Sequence, residues 1–398
     1  MTNRAVLAAY GKYVLANYPR VPIALVRGRG AWVWDAAGRR YLDMVPGIGA
    51  GFLGHCHPAV VRAVRAQAGR LLHVQNHFPH PGQAELARRL LRLARFDGRV
   101  FFCNSGAEAA EAAIKLARRW AQVERGTKRF EIVCVRDGFH GRTLGALAAT
   151  GTPAFWKGFA PMPRGFRHIP LNDMRAAVSA IGPRTCAVLV EAVQGEGGFR
   201  AASPAWLRAL RLLTRREGAL LIFDEVQAGC GRTGTFFAYE PSGVAPDAVT
   251  LAKPLAGGLP VGALLVRARF ARALPPGSHG ATFGGSPLVC AAALAALDVL
   301  AAPRTLARIR RHGALLRRGL EALRARHPAL VEEVRGRGLM AGLALRVPGA
   351  GVVERCRTAG LLVNCTHRTV IRLLPPVGAG PRELRRALVI LDRALEGG

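Results

Sequence analysis

The sequence predicts an α/β protein: a large domain built on a mostly parallel sheet between helices, with a smaller α+β domain. Three observations lead there. From Val100 onward, short apolar runs alternate with helical patterns of ten or more residues. Those runs are apolar on both faces, as strands covered by helices on both sides must be. After Pro287 the pattern changes to long helices, then short strands, then a last helix from Pro381. A chain of 398 residues, half of them apolar, is long enough to bury a large core. With 47 glycines and only 7% aromatics it is neither a disordered, a collagenous nor a coiled-coil composition.

The elements follow in order. Short strand-like pieces at 31–34 and 40–43 flank the turn Ala36-Ala37-Gly38. Pro58 opens an amphipathic helix to about residue 72, and 83–94 is another. Strands of the main sheet are expected at 100–103, 131–135, 187–191, 219–223, 248–251 and 262–266. The smaller domain should hold strands near 339–345, 361–363 and 370–374. The chain divides into an N-terminal segment, 1–50, that packs with the small domain, a large domain at 51–285, and a C-terminal small domain at 286–398. No apolar run approaches the roughly 20 residues that span a bilayer. The first twenty residues are broken by Lys12, Tyr13 and Asn17 and lack the apolar centre of a signal peptide. The expectation is a cytoplasmic protein with no membrane partner.

The charge is far from balanced. Lysine and arginine total 57 against 25 acids, for a net +32, and 52 of the 57 are arginine. Such a balance favours polyanions electrostatically. The arginines are nevertheless spread along the whole chain, with no basic tail and no aromatic-interleaved patch, so nucleic acid is not the expected partner. One segment stands apart: residues 304–326 carry eight arginines and one acid, Glu321. It reads as a helix with a basic face that suits an acidic partner protein. The eight cysteines form no CxxC pair, and several sit in apolar runs, which suits reduced thiols. His73, His77 and His80 lie close together but beside Pro79 and Pro81, with no second ligand set, so no metal is expected. His55 and His57 read as loop residues.

Ligands of open parallel sheets sit at the carboxyl ends of the strands. Polar residues directly after apolar runs are therefore the candidates. In Phe101-Phe102-Cys103-Asn104-Ser105-Gly106-Ala107-Glu108 a strand ends and a helix begins. Ser105 with Glu108 makes a capping box, which suffices as a structural reason. Gly106 and Ala107 also leave the helix start open to an anion such as phosphate. In Phe223-Asp224-Glu225-Val226-Gln227 two acids close a buried strand. A solvated loop acid is the plain reading. A carboxylate held for a cationic ring nitrogen is the functional one, because an unpaired buried charge is costly. In Leu251-Ala252-Lys253-Pro254 a lysine survives where arginine has nearly everywhere been preferred. Arginine stays charged and forms no Schiff base, whereas a lysine of lowered pKa does. Phe139-His140-Gly141-Arg142 adds an aromatic to lie on a ring and a cation to hold a carboxylate, or else a plain glycine turn. A phosphate-binding helix start, an acid for a pyridinium and a Schiff-base lysine are what pyridoxal phosphate requires of a protein.

With those motifs in hand, the sequence resembles the class III, fold type I pyridoxal phosphate aminotransferases, and within them the acetylornithine aminotransferases. The resemblance also rests on Gly30-Ala31-Trp32-Val33-Trp34-Asp35, Leu53-Gly54-His55-Cys56-His57-Pro58, Gln194-Gly195-Glu196-Gly197-Gly198 and Thr282-Phe283-Gly284-Gly285, which run in the family's order across nearly the whole chain. It implies a seven-stranded sheet in the large domain and a homodimer with shared active sites. By resemblance, Lys253 makes the Schiff base and then shuttles a proton, and Asp224 pairs with the pyridine nitrogen. Gln227 lies near the phenolic oxygen, Phe139 stacks on the ring, and Glu225 and Val226 complete the wall. Ser105, Gly106 and Ala107 hold the phosphate, joined by Thr282 of the neighbouring subunit. Arg142 binds a substrate carboxylate, and Arg372 the α-carboxylate of glutamate or 2-oxoglutarate. Glu196 masks that arginine when the ω-amino donor is bound.

The sequence departs from the family's pattern at Ala281 near the substrate, Pro254 after the lysine, Ala192 in the Glu-Pro-x-Gln run, and Ser286. None of these replaces Lys253 or Asp224. The expected reaction moves the ω-amino group of N2-acetylornithine to 2-oxoglutarate in arginine biosynthesis. The alternatives are an amine carried by an acidic carrier protein, or succinylated, in lysine biosynthesis; ornithine or 4-aminobutyrate as donor; and, from a different class, a basic binding protein without catalysis.

Overall fold

The protein is described by a computed structural model over residues 2–397. Its central feature is a seven-stranded sheet, whose strands we number within the sheet. They are β1 (Gly98–Cys103), β2 (Glu131–Val135), β3 (Phe166–Ile169), β4 (Thr185–Val190), β5 (Leu220–Asp224), β6 (Ala248–Leu251) and β7 (Gly262–Arg267). The spatial order is β1-β7-β6-β5-β4-β2-β3. Only β7 runs against its neighbours, β1 and β6; the other pairs are parallel. Every residue of β2, β4, β5 and β6 is buried. That explains their unbroken apolar runs, since helices cover both faces. The apolar pattern of the sequence does not predict β3. It is an edge strand, Phe-Arg-His-Ile, buried only at Ile169, so it lacks the apolar signal of its neighbours.

Two smaller four-stranded sheets complete the molecule. One joins Leu25–Arg29, Trp32–Asp35 and Arg40–Asp43 to Leu361–Leu362 from the far end of the chain. The other joins Val331–Arg337, Met340–Leu345, Val370–Leu373 and Asn364–Thr366. A shared core of Leu42, Met44, Leu316, Leu343, Ile371 and Leu391 ties the N-terminal strands to C-terminal helices. The helix Pro287–Leu300 was expected in the small domain. Its side chains instead pack in the large core, against Pro58–Ala68 and Pro81–Ala94. The cause is composition: this helix is Ala- and Leu-rich all round, so it needs cover on every side. The following helix, Pro303–Arg326, buries Ile309, Leu316, Leu320 and Leu323 and turns most of its arginines to solvent. No single helix among the described residues is long and apolar enough to cross a membrane.

Arg232 holds these parts together. Its side chain is fully buried, lies on the Phe52 ring at 3.7 Å, and has no ion-pair partner among the described residues. It donates instead to the carbonyls of Gly49, Leu339 and Pro375, which come from the N-terminal segment and two places in the C-terminal third. Removing it orphans three buried acceptors at roughly 1–3 kcal/mol each. Arg232→Ala should therefore lower the unfolding free energy by about 3 kcal/mol or more, as read from the denaturant midpoint.

Candidate active site

The carboxyl ends of β1, β5 and β6 open onto one cavity of about 410 Å³. Ten of the residues singled out in the sequence line it: Ser105, Gly106, Ala107, Phe139, Arg142, Glu196, Asp224, Val226, Gln227 and Lys253. Four do not. Glu225 turns away and accepts the backbone N–H groups of Ala238 and Tyr239, with burial pushing its carboxyl up to about 8. It braces the next loop and does not face the cavity. Ala281 and Thr282 stand outside, where Asn76 donates to both their carbonyls and Phe283 is well exposed. Arg372 lies behind Glu196, to which it is ion-paired.

Each wall has a local cause. After β1, Ser105 caps the helix Gly106–Arg119 by accepting from Glu108 N at 3.2 Å. Glu108 closes the turn one residue earlier than a standard capping box, accepting from Asn104 N and Nδ2. A Cβ on Gly106 would stand 2.6 Å from Val226 Cγ1, so only glycine lets this helix start approach the β5 loop. Its free N–H groups face the cavity, where the helix dipole favours an anion. After β6, Lys253 takes φ +23°, a strained value for a residue with a side chain. Pro254 suits this bend, because it is the second residue of the short 3-10 turn Lys253–Ala256, where no N–H is needed, and it disfavours an α-helical residue before it.

Buried charges cluster around these walls. Asp224 accepts from Val226 N at 3.0 Å and pairs with His140 Nδ1 at 2.6 Å. Burial pulls the His140 imidazole down, but the Asp224 hydrogen bond and charge outweigh it and the net shift is upward. Glu191 accepts from Phe139 N at 3.1 Å and Gly195 N at 2.9 Å, and burial pushes it up to about 7. Burial lowers Lys253; the nearby Asp224, Glu196 and Glu191 oppose that only in part. Its amine therefore loses its proton more readily than an ordinary lysine. Burial works against Glu196 ionising, yet Arg372 and Lys253 more than offset it, and its carboxyl sits below the ordinary range. Arg142 lies over the Phe155 ring at 3.9 Å, with no carboxylate partner among the described residues. Gln227 Oε1 is buried without a hydrogen-bond partner among the described residues. An open anion-binding helix start, an orphaned acceptor, a carboxylate and a deprotonatable amine on one cavity fit pyridoxal phosphate.

His140 and Glu191 are not among the site residues that the sequence predicts. His140 sat inside a motif already singled out, and Glu191 ends an apolar run just as Asp224 does. The same strand-end signal could have found Glu191.

The family model "Aminotransferase class-III" matches residues 13–395. The chain belongs to the class-III aminotransferases. An acetylornithine aminotransferase of Caldanaerobacter subterraneus subsp. tengcongensis is 45% identical over 385 residues, 96% of this chain and 97% of that protein. Among solved structures, the ornithine aminotransferase of Toxoplasma gondii superposes with a TM-score of 0.95 at 34% identity, over 100% of this chain and 96% of the other. The N-acetylornithine aminotransferase of Stenotrophomonas maltophilia gives 0.84 at 36%, over 98% of each. As a class-III aminotransferase this chain is a pyridoxal phosphate enzyme of mixed α/β fold.

The electrostatics of the aminotransferase site can be tested directly. Glu196 raises the Lys253 pKa, so Glu196→Gln removes that support and the amine should deprotonate at lower pH. The pH dependence of borohydride-trapped labelling of Lys253 by a small aldehyde should move downward. An upward move would contradict the charge arrangement.

Proposed function

We propose that this aminotransferase moves the ω-amino group of N2-acetylornithine to 2-oxoglutarate, in arginine biosynthesis. The observation that carries the reading is the two-arginine arrangement. Arg142 is available on the cavity wall without a carboxylate partner, whereas Arg372 is covered by Glu196. Such a site takes a donor with one carboxylate on Arg142 and an acceptor with two. The donor's identity rests on relatives 41–47% identical that carry the name acetylornithine aminotransferase.

The roles follow from placement. Ser105, Gly106 and Ala107 hold the cofactor phosphate with helix-start N–H groups. Phe139 lies against the ring, held by Glu191 through its backbone. Asp224, backed by His140, keeps the ring nitrogen protonated. Gln227 would offer its amide to the phenolic oxygen, and Val226 would complete that wall. When bound, pyridoxal phosphate supplies an electron sink for the pair left when a proton leaves the donor carbon. Lys253 would hold the cofactor through its amine and, once freed, would take that proton from the donor carbon and return it to the carbon on the far side of the transferred nitrogen. With the donor bound, Glu196 stays on Arg372. With 2-oxoglutarate bound, Glu196 leaves and Arg372 takes the α-carboxylate.

We further propose a homodimer with shared sites, in which Thr282 of one subunit reaches the phosphate bound by the other. The exposure of Thr282 and Phe283 outside their own cavity supports this. A carrier-bound donor is the competing reading, favoured by the exposed arginines of Pro303–Arg326. Cytoplasmic residence is part of the proposal.

Lys253→Ala should lower turnover by about a thousandfold or more while the far-ultraviolet spectrum stays unchanged. Asp224→Asn should lower it by about a hundredfold or more with the fold intact. Near-normal rates in either would sink the mechanism. Amino donors added without 2-oxoglutarate should bleach the yellow absorbance of the enzyme with acetylornithine and not with ornithine. Bleaching only by ornithine, 4-aminobutyrate or a carrier-bound amine would keep the reaction type and replace the donor.

A further inference from the structure

The Arg372–Glu196 pair does not stand alone. The strands Asn364–Thr366 and Val370–Leu373 pair antiparallel, with Asn364 opposite Arg372 and Thr366 opposite Val370. Opposed residues share a face, and so do residues two apart on one strand. Asn364, Thr366 and Arg372 are thus set on one face by register alone, while Cys365 points the other way, toward Gly349. Asn364 Oδ1 accepts from Arg372 Nε at 2.9 Å. The Thr366 hydroxyl lies 2.7 Å from the Glu196 carbonyl and 3.1 Å from its Oε2.

We propose that Asn364 and Thr366 are positioning residues that decide which partner moves when this pair opens, and how readily. The proposal rests on the reading that Glu196 masks Arg372. Arg372 keeps its Asn364 acceptor whether or not Glu196 is present, so the arginine stays. A hydroxyl has one proton and here two acceptors. While Glu196 covers Arg372, that proton is shared with the carboxylate and favours the covered state. When the carboxylate swings out, the proton goes wholly to the carbonyl of the same residue. Opening therefore leaves no orphaned donor on Thr366, which is buried and would otherwise lose a hydrogen bond. Thr366 biases the gate toward closed while keeping opening cheap. Asn364 ensures that what opens is Glu196 alone.

The two residues should then act in opposite directions. Glutarate, a dicarboxylate without a keto group, probes the open gate by calorimetry on the holoenzyme. Thr366→Val should tighten glutarate by about three- to tenfold, the worth of one hydrogen bond. It should also narrow the preference for acetylornithine over glutamate in single-turnover amino transfer, and Thr366→Ser should restore both. Asn364→Leu frees Arg372 to follow Glu196 and should weaken glutarate instead. Glu196→Gln is the reference and should tighten it. If Glu196→Gln tightens glutarate but Thr366→Val and Asn364→Leu leave it unchanged or shift it the same way, the positioning proposal is overturned and the masking reading stands. If Glu196→Gln has no effect, the masking reading itself fails. Melting temperatures of all four variants separate these shifts from a general loss of structure, which would move both variants together and so count against the proposal.

Discussion

A charge buried at the carboxyl edge of the central sheet has to be neutralised where it stands. Asp224 ends β5 almost fully buried, and His140 meets it from another loop. Placing a carboxylate there without a partner would cost several kcal/mol, or the group would simply take up a proton. The rest of the site is arranged around that constraint. Glu191 ties the Phe139 loop to the Gly195 loop, Lys253 lies among acids that partly offset its burial, and Arg372 and Glu196 neutralise each other. The site is a set of compensated charges in a low-dielectric setting, where each responds strongly to the next.

The fold divides that arrangement between two sheets. Cofactor-side groups stand on buried parallel strands or on the helix start after β1, backed by the main core. Arg372 stands on a different sheet, in the lobe that the N-terminal strands help to build. The two halves meet through Arg232, whose buried guanidinium is held by carbonyls and the Phe52 ring, with no carboxylate partner among the described residues. The cavity wall at the edge of the main sheet and the arginine of the Arg372–Glu196 pair are thereby carried by different sheets.

Much of this was legible in the sequence, and the exceptions share a physical pattern. The strands β2, β4, β5 and β6 were readable because burial on both faces demands apolar runs. The edge strand β3 was not, since Arg167 and His168 break the run. Pro287–Leu300 was assigned to the wrong neighbour because composition shows that a helix is buried and does not say against what. Glu225 was read with Asp224 as facing the cofactor. Adjacent residues at a strand end point to opposite sides, and its carboxylate went to the Ala238 and Tyr239 amides.

By itself the sequence determined the chemistry. A retained lysine in an arginine-rich chain, an acid closing a buried strand and a capped glycine at a helix start each carry their reason in residue type and local position. The tertiary structure alone decided what holds those groups in place. That His140 would back Asp224 across 84 positions, or Thr366 reach Glu196 across 170, is written in no local pattern. Such contacts depend on strand order and hairpin register, which are settled only when the whole core packs.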